Sequence, residues 1–555
     1  MSTNISKEKR EQLAAKIEAL RQYISCCPQD ENTDNLLQYI SEIEKDITGK
    51  KYGLVFEEHR EEIDEVLSTH APVLTEDGSL FIDNGGQMNF LIEGDNLSAL
   101  KLLEKTHKGA IDLIYIDPPY NTGAKDWKYS NNYVDDKDTF RHSKWLSMMN
   151  VRLRTAKKLL STNGALVCAI DENEQATVGM LLEEIFGEAY NIDCITVVHN
   201  PGGIQGANFS YCHEYAYFIY PHRSYYIQKE RRNSDDLTPF RDWGKENSKR
   251  LGSPNCFYPI ITDGTSILSF GDIPNDDFHP TSANEHHDNT IWIWPIDKNG
   301  VERRWRFARD TVGEIKNELV VVNIRGELNV QRNKQFFTRK TVWNDARYSA
   351  NVHGTQLLAQ IIDSKFPFPK SLYLVEECIK ACEQSKTYTV LDFFAGSGTT
   401  GHAVMKMNAE DGGSRRFILC TNNENNICRE VTYERIKRVI DKEKYAASLK
   451  YFKVDYIPVS ERMYYEYADE LLAHVRELVE LENGINFMGN AEIGIALTEE
   501  ELAEFIQNGE AFAKCRKLYM GHDICPDDEQ TAILQARGIE ISIIPDYYYR
   551  DLQEG

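Results

Sequence analysis

The spacing of apolar residues divides the chain into a helical beginning and a long stretch in which strands and helices alternate. Up to residue 70, apolar residues recur every three or four positions, as in amphipathic helices. Short apolar runs rich in β-branched residues follow, for example Phe90–Asp95, Ile111–Asp117, Ala165–Ile170 and Thr389–Phe394. Because helical stretches lie between these runs, the pattern predicts βαβ units and a mostly parallel sheet that is covered on both faces.

Two connecting segments predict further details of the topology. His70–Ser79 is rich in turn-forming residues, so we expect a linker there. Glu214–Tyr220 follows the apolar run Ile192–His199 after a glycine-rich loop that is too short for a helical crossover. We therefore expect Glu214–Tyr220 to be an antiparallel strand at the edge of the sheet.

A change in composition marks an inserted domain. Residues 221–350 hold five of the seven tryptophans and many arginines, and they lack the strand–helix rhythm. The rhythm resumes after them, so the sheet is predicted to be doubly wound and built from two halves of the chain. We expect five parts: a helical segment (1–70), the first half of this α/β sheet (71–220), the insertion (221–350), the second half of the sheet (351–450) and a C-terminal α/β domain (451–555).

The chain is acidic overall, with a formal net charge of −24, but the charge is unevenly distributed. Residues 451–555 hold 8 basic and 22 acidic residues, whereas residues 221–350 hold 20 basic and 18 acidic ones. Local charge decides whether a surface binds phosphates, so the global sign does not exclude a nucleic acid as a partner. We expect the acidic tail to contact proteins rather than DNA.

Cysteine usage and hydropathy predict the compartment. No apolar run approaches the roughly 18 residues of a membrane span, and the N-terminus lacks the apolar core of a signal peptide. The twelve cysteines form no CxxC pair, as expected for reduced thiols in the cytosol. We therefore expect a cytoplasmic protein. We also expect no metal site, because His286 and His287 are adjacent and no second cluster of ligands is obvious.

The first motif that carries chemistry is the run Asp117, Pro118, Pro119 and Tyr120, directly after an apolar strand. In parallel sheets, ligands bind just beyond the carboxyl ends of the strands. The prolines remove two backbone donors, which leaves carbonyl acceptors, a carboxylate and an aromatic ring. This set suits the exocyclic amine of a planar base, with Asp117 and the Pro118 carbonyl accepting its N–H bonds and Tyr120 stacking on the ring.

The second motif is a glycine-rich turn within Leu391–Gly401. Gly396 and Gly398 allow a tight turn and a close approach of the backbone to a ligand, and the following helix N-terminus favours an anionic group. The same residues fit the GxGxxG pattern of dinucleotide-binding proteins, which also requires an acid at the end of the next strand. Here the next expected strand is Arg416–Cys420, and the first acid after it is Glu424. The pattern therefore disfavours a nicotinamide cofactor.

Together, these two motifs and the insertion between them resemble the β class of S-adenosylmethionine-dependent amino-methyltransferases of DNA. More closely, the chain resembles the modification (Mod) subunits of type III restriction–modification systems over about residues 80–440. Further stretches that carry the resemblance are Gly94–Leu103, His142–Leu160, Ile170–Glu174, Glu183–Glu188 and His213–Tyr220. The resemblance implies methylation of adenine N6 in double-stranded DNA, because DPPY accompanies adenine in this family whereas SPPY is commoner for cytosine N4.

The resemblance also assigns roles to individual residues. It implies that Asp117, Pro118, Pro119 and Tyr120 form the catalytic turn, which acts on a base flipped out of the duplex. The S-adenosylmethionine site is expected to consist of Asp95, Asp117, Lys365, Asp392, Phe394, Gly396, Ser397, Gly398 and Thr399. Many family members hold the cofactor ribose with an acid at the end of the next strand; the corresponding residues here are Thr421–Glu424, so the ribose contact stays unassigned.

Basic residues of the insertion are the expected contacts to DNA. Arg303–Arg309 combines arginines with Trp305, which suits phosphate pairing and base stacking, and a strand with one buried tryptophan is the alternative. Gln331–Lys340 holds four basic residues and no acid. The expected DNA-binding residues are Arg303, Arg304, Arg306, Lys334, Arg339 and Lys340.

The family resemblance implies protein partners and leaves alternatives open. It implies a homodimer and a helicase–nuclease restriction subunit as partners besides DNA. The alternatives are a methyltransferase for cytosine N4 or RNA, a nicotinamide dehydrogenase, and a DNA-binding specificity subunit without catalysis. The intact Asp117 and Gly396 argue against the last of these.

Overall fold

The structure is a computed structural model that describes residues 5–26, 33–48, 56, 59–122, 141–205, 208–231, 237–244, 246–363, 366–488 and 490–553. The chain divides into two compact units. Unit 1 consists of residues 1–223, 342–376 and 385–555, and unit 2 consists of residues 224–341 and 377–384. In the described part of the chain, no helix has both the length and the apolar character that crossing a membrane requires.

Helices occur along most of the chain. The described α-helices are Ile5–Cys26, Thr33–Thr48, Glu62–Thr69, Asn96–Thr106, Arg141–Leu159, Gln175–Phe186, Leu357–Ile361, Leu372–Cys382, Thr399–Asp411, Glu434–Glu443, Tyr464–Leu472, Val475–Asn483, Glu499–Gln507, Gly509–Lys514, Asp528–Arg537 and Asp546–Gln553.

The central element of unit 1 is a ten-stranded sheet. Its strands are β1 (His70–Glu76), β2 (Gln87–Glu93), β3 (Ile111–Ile116), β4 (Leu160–Ile170), β5 (Tyr190–Val198), β6 (His213–Pro221), β7 (Val342–Trp343), β8 (Thr389–Asp392), β9 (Arg416–Thr421) and β10 (Ala447–Pro458). They lie in the order β1-β10-β2-β9-β8-β3-β4-β6-β5-β7. The six strands from β10 to β4 are parallel, whereas β1 and β6 run antiparallel to their neighbours.

The parallel strands are apolar on both faces, as a sheet covered by helices requires. In β3, Leu113, Ile114 and Ile116 are fully buried, and consecutive residues of a strand point to opposite faces. The doubly wound α/β class predicted from the sequence is therefore confirmed.

The register of β3 and β8 positions the two motifs. Leu113 lies opposite Val390 and Ile114 lies opposite Leu391, so the two strands are direct parallel neighbours. Asp117 follows the end of β3, and β8 ends at Asp392. The two turns therefore emerge side by side at the carboxyl edge of the sheet, although they lie far apart in the sequence.

Two details of the predicted topology are wrong. Most of the expected linker His70–Ser79 is β1, in which Val73 and Leu74 are fully buried. Pro72 is compatible with this strand because β1 lies at the edge of the sheet, where a missing N–H is tolerated. The expected edge strand is β6, and it is antiparallel as predicted. It is not at the edge, because it pairs with β4 on one side and with β5 on the other.

Unit 2 is built from short antiparallel strands. Its described strands are Glu230–Arg231, Thr238–Pro239, Ile260–Thr262, Ile267–Phe270, Asn284–His287, Thr290–Ile293, Leu319–Ile324, Glu327–Arg332 and Phe336–Phe337. Trp305 lies in the core of this unit, where its ring stacks on Phe240 with centroids 5.5 Å apart. The Trp305 indole also donates a hydrogen bond to the Tyr258 carbonyl oxygen at 2.7 Å.

The C-terminal part of unit 1 contains a second, smaller sheet. Its strands Ile493–Ala496, Lys517–Gly521 and Glu540–Ile544 are parallel, and helices connect them. The expected boundary after Lys450 falls inside β10, which belongs to the main sheet and continues to Pro458.

Candidate active site

A cavity of about 740 Å³ lies at the carboxyl edge of the main sheet, entirely within unit 1. Both motifs line it: Asp117, Pro119 and Tyr120 come from the first turn, and Asp392 and the segment 393–397 come from the second. The volume is in the range of binding sites for small organic ligands. The structure thus brings the two motifs to one site.

The proline turn is fixed by hydrogen bonds from neighbouring helices. The indole nitrogen of the buried Trp145 donates to the Pro119 carbonyl oxygen at 2.7 Å. The side-chain amide of Asn121 donates to Glu174 Oε1 at 2.5 Å, and Asn121 itself has a left-handed backbone with φ of 58°. Pro118 is buried and is not among the residues that line the cavity, so its proposed contact to a ligand stays a prediction.

Lys370 and Glu214 surround the side chains of this turn. The Lys370 ammonium lies 2.6 Å from Glu214 Oε2 and 3.3 Å from Asp117 Oδ1, and it also contacts the hydroxyl of Tyr120. The Tyr120 hydroxyl donates to Glu214 Oε2 at 3.2 Å, and the ammonium lies 4.6 Å from the centroid of the Tyr120 ring. Two carboxylates, a phenol and one cation thus form a compact cluster in the cavity wall.

Burial and charge shift the pKa values in this cluster. Burial raises the pKa of Asp117, and the nearby Lys370 opposes that shift. Burial alone lowers the pKa of Lys370, but the carboxylates of Asp117 and Glu214 raise it above its ordinary value. Burial and the same carboxylates raise the pKa of Tyr120. At neutral pH, Lys370 is therefore an ammonium and Tyr120 a neutral phenol.

The glycine-rich turn has the backbone geometry that its sequence predicts. Gly396 and Gly398 have φ values of 49° and 74°, in the left-handed region that favours glycine. Asp392 accepts hydrogen bonds from the Phe394 amide at 3.0 Å and from the Thr400 hydroxyl at 2.6 Å. Burial raises the pKa of Asp392 to about 7, although both hydrogen bonds oppose the shift.

Arg435 holds the turn from behind. Its buried guanidinium donates to the hydroxyl of Ser397 at 3.1 Å and to that of Thr399 at 2.8 Å. Thr432 donates to the Gly396 carbonyl oxygen at 2.5 Å. Because these groups already have protein partners, the turn can offer a ligand chiefly its backbone and the Asp392 carboxylate.

Gly398 contributes to the conformation of the turn rather than to the cavity wall. A Cβ atom at this position would lie 3.2 Å from the Thr432 methyl group, and Gly398 is not among the residues that line the cavity. Its expected contact with a cofactor therefore stays a prediction, and the position of Gly398 outside the cavity wall does not support it.

At the end of β2, Asp95 caps a helix and lines the cavity. Asp95 Oδ1 accepts from the amides of Leu97 at 2.7 Å and Ser98 at 3.3 Å. The buried Arg152 lies 3.6 Å from the other Asp95 oxygen and also binds Glu61. Asp95, Arg152 and Glu61 thus form a charged part of the cavity wall beyond the end of β2.

The strand after the glycine-rich turn also reaches the cavity. Thr421, Asn422 and Glu424 line it, so an acid is present where the family resemblance left the ribose contact unassigned. The Asn422 side-chain oxygen is buried, and no donor among the described residues reaches it. A buried acceptor without a partner is costly unless a ligand or water satisfies it, which makes Asn422 a ligand contact to test.

Lys365, the expected cofactor residue of the motif Lys365–Ser371, lies outside the described residues. The residues that follow it, from Phe366 to Lys370, all line the cavity. The lysine in contact with the catalytic turn is therefore Lys370, five positions further along the chain.

Three of the six expected DNA-binding residues are engaged within unit 2. Arg303 pairs with Asp297 at 2.8 Å, Arg304 pairs with Asp242 at 2.9 Å, and Arg339 pairs with a glutamate of the same unit. Trp305 is buried, so stacking of Trp305 on a base is wrong and the buried tryptophan of the alternative is correct. The expected strand is not, because Arg303 and Trp305 form isolated bridges instead.

The other three expected DNA-binding residues are more accessible. Arg306 and Lys340 are exposed, and Lys334 is half-buried with its ammonium 4.9 Å from the Phe337 ring centroid. DNA contact by these three residues stays a prediction.

Sequence reasoning missed several residues of the site. Glu214 lies in a stretch that carries the family resemblance, but its expected position at a sheet edge gave no reason to place it beside Asp117. The cations Lys370, Arg152 and Arg435 were missed because a single basic residue in a helix or loop has no motif. One usable signal was the position of Lys370 in the stretch Lys365–Ser371, which begins with the expected cofactor residue Lys365.

Comparisons with known proteins agree with this geometry. A family model described as DNA methylase matches residues 111–434, which is more than half of the chain. The type II methyltransferase M.KpnI of Klebsiella pneumoniae is 32% identical over 353 residues, which cover 60% of this chain and 79% of that protein. The EcoPI Mod subunit of a type III restriction–modification enzyme from Escherichia phage P1 is 26% identical, over 66% of this chain and 60% of that protein.

A solved structure of M1.HpyAVI in complex with SAM is also similar, with 15% identity and a TM-score of 0.29, over 63% of this chain and 98% of that one. The family match spans both motifs and the insertion between them, and the structure places both motifs in one cavity. The chain belongs to the N6/N4 DNA methylase family.

Proposed function

We propose that this protein transfers a methyl group from S-adenosylmethionine to the N6 atom of adenine in double-stranded DNA. The observation that carries the proposal is the shared cavity of the two turns. Asp117 and Tyr120 lie on one wall and Asp392 and Gly396 lie on another, within one space of about 740 Å³. An amine and a methyl donor can therefore occupy the cavity together.

The cavity offers groups that suit S-adenosylmethionine, which supplies a methyl group on a positively charged sulfur. Asp392 and Asp95 are carboxylates that favour a cationic ligand, and Glu424 is an acceptor for hydroxyl groups. Asn422 adds a buried oxygen that no described donor satisfies. The protein's own contribution is to hold such a ligand through these acceptors and through the backbone of the glycine-rich turn.

The catalytic turn supplies what the amine requires. Methylation replaces one of the two hydrogens of the amine, and the proton that leaves the nitrogen passes to the Asp117 carboxylate and from there to water. Asp117 accepts an N–H bond of the amine and provides negative charge where positive charge develops, and Tyr120 stacks on the base. The protein accelerates the reaction by positioning the amine and by stabilising the developing charge, and no covalent enzyme intermediate is needed.

Adenine inside a duplex cannot reach this cavity, so the base has to be flipped out. Unit 2 supplies the sequence recognition, with Arg306, Lys334 and Lys340 as phosphate contacts. Mod subunits of type III enzymes are among the relatives, and we propose that this chain is the modification subunit of a similar system or acts alone. A second copy of this chain and a helicase–nuclease subunit are the proposed protein partners.

The test is incubation of the purified protein with plasmid DNA and S-adenosylmethionine, followed by mass spectrometry of the nucleosides. We expect N6-methyldeoxyadenosine with the unmodified protein and none with Asp117→Ala. Calorimetry of this variant measures how much Asp117 also contributes to the cofactor site, as the family resemblance implies. Asp441→Asn, on an exposed helix position, is the matched control and should retain activity. N4-methyldeoxycytidine would instead establish a cytosine enzyme, and cofactor binding without any methylated base would favour a specificity subunit.

A further inference from the structure

Lys370 lies at the centre of the buried cluster beside the expected reaction centre. Its side chain is 10% exposed and that of Glu214 is 7% exposed. The ammonium is within 3.3 Å of oxygen atoms of both Asp117 and Glu214 and contacts the Tyr120 hydroxyl. The Asp117 side chain is 26% exposed, toward the cavity. One cation therefore compensates one buried and one half-buried carboxylate.

The contacts of Lys370 favour the ionised form of Asp117, which the proposed methyl transfer requires. An amine that is about to lose a proton needs an ionised acceptor, and a protonated carboxyl group offers a donor in its place. Two neighbouring buried carboxylates without a cation do not both stay ionised, because like charges at short range raise one of the pKa values. The ammonium between Asp117 and Glu214 removes this conflict.

We infer that Lys370 and Glu214 are positioning residues of the methyl transfer, which keep Asp117 ionised and hold the ring of Tyr120 in place. This inference rests on the proposed function. Lys370 binds Asp117 at Oδ1, and a carboxylate has about four acceptor sites, so capacity remains for an N–H bond of the amine. Glu214 holds Lys370 at 2.6 Å and accepts from the Tyr120 hydroxyl, which ties the cation to the stacking ring.

The surroundings of Asp117 contain other groups that influence its charge. Asp392 lies on the neighbouring strand β8, and burial holds its pKa near 7. Asp171 and His199 follow β4 and β5 and lie in the wall of the same cavity. The titratable groups of the cluster and those that interact with it are Tyr115, Asp117, Tyr120, Cys168, Asp171, His199, Glu214, Lys370 and Asp392, and Glu172 and His213 act on Asp171 and His199.

The test compares Lys370→Met with the double variant Lys370→Met/Glu214→Gln. In the single variant, the buried carboxylate of Glu214 and the half-buried one of Asp117 have no cation between them and one takes up a proton. Turnover should therefore fall at least tenfold at pH 7 and rise toward alkaline pH. The second substitution removes one of the carboxylates, so part of the activity should return and its pH dependence should weaken. Lys101→Met, at an exposed helix position, is the control and should behave like the unmodified protein.

Melting temperature as a function of pH gives a readout that does not depend on turnover. Unpaired carboxyl groups in Lys370→Met have folded-state pKa values above their unfolded ones, so they favour the folded state at low pH and this contribution is lost as pH rises. Relative to the unmodified protein, Lys370→Met should therefore lose melting temperature between pH 5 and pH 8, and the double variant should lose less. Lys370→Arg retains the charge and should resemble the unmodified protein in this pH profile.

The outcomes separate this inference from the proposed function. If the unmodified protein methylates no DNA, the proposed function fails. If it does methylate DNA, and the double variant matches Lys370→Met in turnover and in both pH profiles, the inference about Lys370 and Glu214 is wrong. Cofactor affinity by calorimetry should be within about threefold in all variants, since neither residue lies on the glycine-rich turn; a large loss would assign Lys370 a cofactor role instead.

A second, independent observation concerns the N-terminal helical hairpin, Ile5–Cys26 and Thr33–Thr48. The helices are joined by an ion pair at 2.8 Å between Arg21 and Glu44, and Ile17 and Ile40 are buried. Helical periodicity places the large exposed apolar residues in one stripe on each helix, and in an antiparallel hairpin both stripes lie on the same face. These residues are Leu13, Leu20, Tyr23, Leu36, Tyr39 and Ile43.

The proposed function already includes a second copy of this chain as a partner. Resting on that, we propose that the surface of contact is this apolar face, formed by those six residues, which binds the same face of the second copy. The first helix holds five basic and three acidic residues, whereas the second holds one basic and four acidic ones. In a two-fold symmetric contact, the first helix of one copy can lie beside the second helix of the other, so opposite charges flank an apolar centre.

The test is the mass of the full-length chain in solution by light scattering over a range of concentrations. We expect a dimer for the unmodified protein and for Gln38→Glu, which lies on the opposite face of the second helix. Leu20→Glu/Ile43→Glu should give monomers with unchanged cofactor affinity. A monomeric unmodified protein, or a dimer that survives the double substitution, would overturn this assignment.

Discussion

Protonation of Asp392 should control the affinity for S-adenosylmethionine. Asp392 is 3% exposed, and burial raises its pKa to about 7. A cationic ligand binds the ionised carboxylate in preference to the neutral acid, so affinity should increase as pH rises through this value. About one tenth of the protein has an ionised Asp392 at pH 6 and about nine tenths at pH 8, which corresponds to about a tenfold change in affinity, or about 1.4 kcal/mol.

Calorimetry can measure this effect directly. At pH 7, binding should release about half a proton per ligand, because about half of the carboxyl groups are protonated before the ligand binds. The released proton is seen as a dependence of the binding enthalpy on the ionisation enthalpy of the buffer. Asp392→Asn should remove this contribution and weaken binding, and any titration of the ligand itself cancels in the comparison of the two proteins.

The structure also sets the stability cost of that control variant. An asparagine has one acceptor oxygen, so it retains at most one of the hydrogen bonds from Phe394 and Thr400. We expect a loss of about 1–3 kcal/mol, which a domain of this size tolerates. Equal proton release by both proteins, or an affinity of the unmodified protein that is constant from pH 6 to pH 8, would refute the role of Asp392.

Three further predictions test other parts of the site and of unit 2. Gly398→Ala should lower the stability of unit 1 by about 1–3 kcal/mol in chemical denaturation, because it combines a left-handed backbone with a Cβ atom 3.2 Å from Thr432; an unchanged midpoint would contradict this. Trp145→Phe removes the hydrogen bond to Pro119 and should reduce the turnover number severalfold without changing cofactor affinity, which steady-state kinetics and calorimetry separate. Arg306→Ala should weaken DNA binding and reduce its salt dependence. Arg303→Ala should chiefly lower the melting temperature, because Arg303 pairs with Asp297. Binding titrations at several salt concentrations distinguish the two variants.

The sequence predicts the parts of the site that obey local rules. An apolar strand followed by DPPY and a strand followed by a glycine-rich turn are local patterns, and both turns occur where they were expected. The parallel arrangement follows from the strand–helix alternation, and it suffices to bring Asp117 and Asp392 to the same edge.

Burial and pairing of charges were less predictable. Arg303 and Arg304 have the composition of a DNA-binding stretch, but their carboxylate partners Asp297 and Asp242 come from other segments of unit 2. A single sequence does not show which acids approach which arginines. Basic residues that bind phosphates and basic residues that pair inside a domain therefore look alike until the fold is known.

The position of β6 explains how the catalytic cluster is completed. In a parallel sheet, only residues that follow a strand reach the carboxyl edge, whereas residues that precede a strand lie at the opposite edge. β6 is antiparallel to β4 and β5, so its first residues lie at the carboxyl edge, and Glu214 is opposite Val197 near the end of β5. Because β6 is antiparallel, Glu214 near its start lies beside the catalytic turn. In a parallel strand, the same position would lie at the opposite edge of the sheet.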